Sequence, residues 1–169
     1  MYRTILLFII SVQFSCAQEH NHFKVEVDPN GKYHILKEDQ IDRRTGEETR
    51  VQASINVVSN AAKFDSLLYA NAALLKDTLQ ITLWRLTASH YNECEIKILN
   101  GVYLAKFKSA PDVIPEKKFV VDASFLHLNV STWKSGDTVR GCIYFRGKCV
   151  TQGKEEVVEA TGNFKCVIE

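Results

Sequence analysis

The chain has 169 residues, enough for one domain with a substantial core. Apolar residues make up 46% and charged residues 24%, a composition that excludes an intrinsically disordered chain. Lysine and arginine number 21 against 20 acids, a net charge of +1, so the basic excess that marks nucleic-acid binders is missing.

Residues 1–17 read as an export signal. Arg3 supplies a positive start, residues 5–14 are almost wholly apolar, and Ser15-Cys16-Ala17 is a small-x-small exit. The apolar run is too short for a spanning helix, and no later run approaches the roughly 20 residues of one. Cleavage after Ala17 would release a soluble protein. Residues 14–17 (Phe-Ser-Cys-Ala) resemble a bacterial lipoprotein box, which implies acylation of Cys16 and a tether to a membrane surface. Gln13 and Phe14 depart from that pattern, where aliphatic or small residues are usual.

Residues 18–50 are polar. Phe23, Val25 and Val27 alternate with Lys24 and Glu26, and Asp28-Pro29-Asn30-Gly31 is a strong turn signal. With Tyr33, His34, Ile35 and Leu36 beyond the turn, the segment predicts an edge hairpin. The charged stretch 39–50 predicts a loop or linker. A β-rich domain is expected over 51–169.

Within it, residues 54–58 read as a strand. An amphipathic helix is expected next, capped by Asn60 and ending at Asp77, because Phe64, Leu67, Leu68, Asn71, Leu74 and Leu75 recur at three- and four-residue steps. Leu79, Ile81 and Leu83 alternate with polar residues. The clearest hairpin turns at Asn100-Gly101, both tolerant of positive φ. It sets Leu99 against Val102 and Glu95 against Lys106, and puts Cys94, Ile96, Ile98, Tyr103, Ala105 and Phe107 on one face. Strands are expected at 119–121, 124–130, 138–145 and 157–168. The fold class is therefore mainly β: an antiparallel β-sandwich or flattened barrel with one amphipathic helix.

Once Cys16 is removed or acylated, Cys94, Cys142, Cys149 and Cys166 remain, an even number that predicts disulfides in an exported chain. A fold-back at Arg146-Gly147 would pair Cys142 with Cys149 and leave Cys94 for Cys166. A hairpin centred near Lys154 would instead set Cys142 opposite Cys166. The spacings do not suit zinc.

No G-x-S-x-G, glycine-rich phosphate loop or recognisable carboxylate pair is present, and no cofactor is implied. A chain beginning at Gln18 would offer its amine, two amide nitrogens and the His20 imidazole to Cu(II) or Ni(II), with His22 as an axial ligand. Cyclisation of Gln18 or acylation of Cys16 would abolish that site. Asn129-Val130-Ser131 fits the glycosylation pattern.

The leading expectation is a non-enzymatic domain of the secreted, periplasmic or membrane-anchored class. Its partner is a protein or a carbohydrate, not nucleic acid, and it meets a membrane only through Cys16. Contact residues are sought among turn aromatics, Trp133 and Tyr91, and in the polar loop at His90. One alternative is a small metal-dependent hydrolase using His90 or His127. A third reading is a structural or inhibitor-type envelope protein.

Overall fold

The computed structural model describes residues 21–35, 40–41, 48–49, 52–61, 64–111, 116–151 and 153–169. The expected signal segment, Cys16, and the copper ligands Gln18 and His20 lie outside these residues.

Eleven strands follow in order: β1 (Phe23–Val27), β2 (Gln40–Ile41), β3 (Glu48–Thr49), β4 (Ala53–Ser59), β5 (Tyr69–Leu75), β6 (Thr78–Leu86), β7 (His90–Leu99), β8 (Val102–Pro111), β9 (Lys117–Leu128), β10 (Thr138–Thr151) and β11 (Lys154–Val167). β2 and β3 pair only with each other. The other nine form one sheet in the order β4-β11-β10-β9-β1-β8-β7-β6-β5. From β5 to β11 this is an up-and-down meander, every consecutive pair antiparallel. β4 completes it beside β11.

The sheet curls until its ends meet. Ile55 of β4 exchanges two main-chain hydrogen bonds with Leu67, at 3.1 and 2.9 Å. The Glu169 N–H donates to the Ala72 carbonyl at 2.9 Å. Both edges are thereby largely covered, which is the usual remedy for exposed strand edges. The expected β-rich fold is present as a nearly closed barrel.

β1 is a wedge in the wall. β8 and β9 pair directly only at Phe107–Phe119, Lys108–Lys118 and Ser109–Lys117. Further along they part, and β1 fills the gap, antiparallel to β8 and parallel to β9. Its alternation explains the fit: Phe23 and Val25 pack on the core, while Lys24 and Glu26 face water. The expected edge hairpin is therefore not formed. The turn at residues 28–31 is present, with the Asn30 N–H donating to Asp28 Oδ1, but residues 31–35 form no strand.

The expected helix is also replaced. No helix occurs among the described residues, and residues 69–75 are β5, paired with β6 over seven rungs. Asn60, the expected cap, instead extends the β4–β11 ladder: its Oδ1 accepts from the Val157 N–H at 2.9 Å. The stripe Phe64-Leu67-Leu68 that mimics a helix face lies in an irregular connection. Ala70 and Ala72 then alternate inward, small enough to pass where the barrel closes. A bare β6 edge would leave unpaired main-chain groups, and that cost outweighs alanine's helix propensity.

The Asn100-Gly101 hairpin forms as expected, with φ of 51° and 76°, Leu99 opposite Val102 and Glu95 opposite Lys106. Its apolar face is buried. β10 runs unbroken through Arg146-Gly147, so the fold-back expected there does not occur. A β-bulge sits opposite that point on β9, turning Asp122 outward to hold Arg146 at 2.9 Å.

Candidate functional site at the polar mouth of the barrel

Inward-facing residues fill the barrel, and their character changes from one end to the other. At the end holding the Asn100-Gly101 turn they are apolar: Leu79, Ile98, Tyr103, Leu128, Val139, Cys166 and Ile168 are buried. Trp133, expected as an exposed contact residue, packs half-buried on the core beside Val130. Its loop is tied down by the Gly136 N–H to the Ile168 carbonyl and the Ile168 N–H to the Asp137 carbonyl.

The opposite end is polar. Strand alternation carries the inward face of each strand one step past its last apolar residue, and there it meets a polar one. Arg85, Asn92 and Ser109 are direct cross-strand neighbours on β6, β7 and β8, and Ser109 neighbours Lys117 on β9. Lys117 Nζ lies 2.6 Å from Glu156 Oε2 on β11. Ser59 of β4 donates its hydroxyl to Glu156 Oε1 at 3.3 Å. Cys149 of β10 is Glu156's cross-strand neighbour. The polar row thus runs most of the way round the barrel.

Two members are unusual for a barrel interior. Glu156 is only 5% exposed, a buried carboxylate stabilised by one ammonium and one hydroxyl. Asn92 is 2% exposed, and its Oδ1 has no hydrogen-bond partner among the described residues. An orphaned buried acceptor costs about 1–3 kcal/mol, so it calls for a reason.

Beneath the row lies an aromatic floor. The rings of Phe107 and Phe119 are 5.4 Å apart, and those of Phe107 and Phe145 are 5.3 Å apart. Phe64, from the connection between β4 and β5, meets Phe107 and Phe119 edge-on at 6.0 and 6.1 Å. Beside Phe64 a groove of about 660 Å³ opens, bordered by Val57, Ser59, Asp65 and Arg85. The groove is open to solvent: it touches the polar row at Ser59 and Arg85 and extends to the outward-facing Asn56 and Val58 of β4.

His90 and Tyr91 belong to the same end but differ in aspect. His90 shares Asn92's face, one step further toward the rim, and its Nδ1 lies 2.8 Å from Ser89 Oγ. Tyr91 stands on the outer face, hydrogen-bonded to Glu93 with Lys108 over its ring at 5.8 Å. Burial, then the bond to Glu93, raises its hydroxyl pKa. His127 is on the outer wall, with Nε2 2.6 Å from Glu26 and its ring edge-on to Phe125. No three His, Cys, Asp or Glu side chains converge among the described residues.

The cysteines are dispersed. Cys94 and Cys166 face the core from different strands, Cys142 lies on the outward face of β10, and Cys149 lies on its inward face. No two of these four sulfurs are at bonding distance. β10 and β11 pair as far as Thr151–Lys154, so Cys142 meets Asn163 and Cys166 meets Val139. Asn129 of the glycosylation pattern accepts the Arg140 N–H at 2.7 Å.

Comparison with protein-family models, with curated proteins and with solved structures finds no match. The mouth itself is the guide to function.

Sequence reading reaches this end only through the polar loop at His90 and misses Ser109, Lys117 and Glu156. The usable signal was phase. Asn92 is in step with Cys94, Ile96 and Ile98, and Glu156 with Val158 and Ala160.

Proposed function

We propose that the chain is an exported, non-enzymatic binding domain of the cell envelope, and that it takes a small ligand at the polar mouth of its barrel. The observation that carries this reading is the buried, unpartnered Oδ1 of Asn92 set in a polar row above an aromatic floor. Folding alone gains nothing from such an acceptor. A ligand donor there would satisfy it. The sequence supports export through the signal-like residues 1–17.

Binding is favoured over the metal-dependent alternative because no three His, Cys, Asp or Glu side chains converge among the described residues. The hydrolase alternative has the His127–Glu26 pair at 2.6 Å in its support. Those side chains are 33% and 68% exposed on the outer wall, where solvent reaches both.

Amide NMR spectra of the labelled domain, titrated separately with indole, benzamide, benzoate and glucose, test the site. At least one probe should shift Asn92, Ser109, Lys117 and Glu156 together. A panel that moves none of them, or moves only the outer wall, overturns the reading. Export is tested by the intact mass of protein purified from its own host; the mass of the unprocessed chain would refute it.

A further inference from the structure

We infer that the mouth selects a neutral, planar, mostly apolar ring carrying one N–H or O–H donor, of the indole or phenol class, with Phe64 marking where that ring sits. This rests on the site proposed above and narrows it to one ligand chemistry.

Three observations converge. The first is the floor. Phe64 is only half-buried, yet its ring meets Phe107 and Phe119 edge-on, a favoured aromatic geometry. A ligand ring in its place would keep both contacts. The second is Asn92. It lies one step mouthward of the Cys94–Phe107 row, beside Arg85, which borders the groove, and its Oδ1 is the acceptor that a ligand donor would satisfy. The third is charge. Lys117 is matched by Glu156 at 2.6 Å. Arg85 donates to the Ser66 carbonyl at 3.5 Å and shares its groove with Asp65. On this face β7 carries two titratable groups, His90 at the rim and the buried thiol of Cys94. Among the described residues two cations stand against two anions at the mouth, which leaves no surplus charge to reward an ionised ligand, and desolvating one is costly.

Calorimetry with three bicyclic probes tests the inference: indole, benzofuran, which matches its shape but offers an acceptor in place of the donor, and 1-methylindole, which blocks the donor with a methyl group. Phe64→Ala should bind indole at least about tenfold tighter than the unmodified domain, because the competing side chain is gone. The same variant should prefer indole over the other two probes by about tenfold, the cost of leaving a buried acceptor unpaired. Adding Asn92→Ala should abolish the preference while leaving ring binding in place. If Phe64→Ala fails to fold, Phe64→Leu serves the same comparison. Equal affinity for all three probes, or a preference for benzofuran, overturns the inference and leaves the mouth as a binding site. Failure of every ring probe also overturns it, while the NMR panel reads the broader proposal independently.

Discussion

The Lys117 ammonium lies 2.6 Å from the Glu156 carboxylate, and that carboxylate is almost sealed from water inside the barrel rim. The pair joins the start of β9 to the start of β11, strands separated in the sheet by β10. A buried ion pair is weak proof of stability, because desolvation offsets most of the attraction, but breaking one is costly. Lys117→Met should therefore destabilise the fold by about 2–4 kcal/mol in urea unfolding. The double variant Lys117→Met with Glu156→Leu should recover to within about 1 kcal/mol of the parent. A double variant as unstable as the single one would mean that the pair itself holds the rim.

The close passage of β11 over β4 gives a second expectation. A Cβ placed on Gly162 would stand 1.9 Å from the Ser54 carbonyl oxygen and 2.8 Å from Ile55 Cα. Both obstacles are main chain, so neither can swing aside as a side-chain tip would. Gly162→Ala must push β4 away, and β4 also carries one side of the closing seam at Ile55. A loss of about 2–4 kcal/mol is expected, read as a lower urea midpoint. Gly153→Ala, at a turn where a Cβ meets nothing within 4 Å, should cost less, chiefly through its φ of +76°.

Periodicity made the strands legible where both neighbours were local. The Asn100-Gly101 hairpin, its register and its buried face all follow from ten residues on either side of the turn. It failed where partners were distant. Phe64, Leu67, Leu68 and Leu74 have helical spacing, and only the need to cover β6 and to meet Ile55 and Ile168 decides for β5. The same holds for β1, whose neighbours Tyr103 and Leu126 lie about a hundred residues or fewer along the chain and give no local sign of the gap it fills. The polar mouth was half legible. The alternation that identified Cys94 and Phe107 as buried also reaches Asn92 and Ser109 one step on, but polarity alone argued for solvent.

Two buried thiols, together with the buried Tyr103 hydroxyl, link the stability of the fold to alkaline pH. Burial raises Cys94 above its ordinary range and pushes Cys166 from 9.0 up to about 12. The unfolded chain ionises first as pH rises, so the stabilising effect is whole below about pH 9 and drains away between there and about pH 12. Cys166→Ala should flatten that limb of the stability–pH curve. A curve of unchanged slope would show that the thiol keeps its solution pKa. Alkylation supplies the matching readout: Cys142 and Cys149 should label in the folded protein, and Cys94 and Cys166 only after unfolding.

Asn92 offers the sharpest test of whether the mouth exists for binding. Its side chain is buried with Oδ1 unsatisfied, so the folded state carries a desolvation cost that nothing in the described fold returns. Core polar groups kept for folding lose stability when truncated, because a partner is stranded. Here no partner is stranded at Oδ1, and Asn92→Ala trades the orphaned acceptor against a small void. The expected change is between no loss and a gain of about 1 kcal/mol, measured as an equal or higher Tm and urea midpoint. Ser109→Ala, its neighbour on β8, is the control for truncation at the same depth. A loss above about 2 kcal/mol for Asn92→Ala alone would make the residue a structural element of β7 and remove the argument for a ligand donor at the mouth. A neutral or stabilised variant that no longer shifts with any NMR probe would show stability given up for binding at one side chain, which is the pattern expected of a functional site.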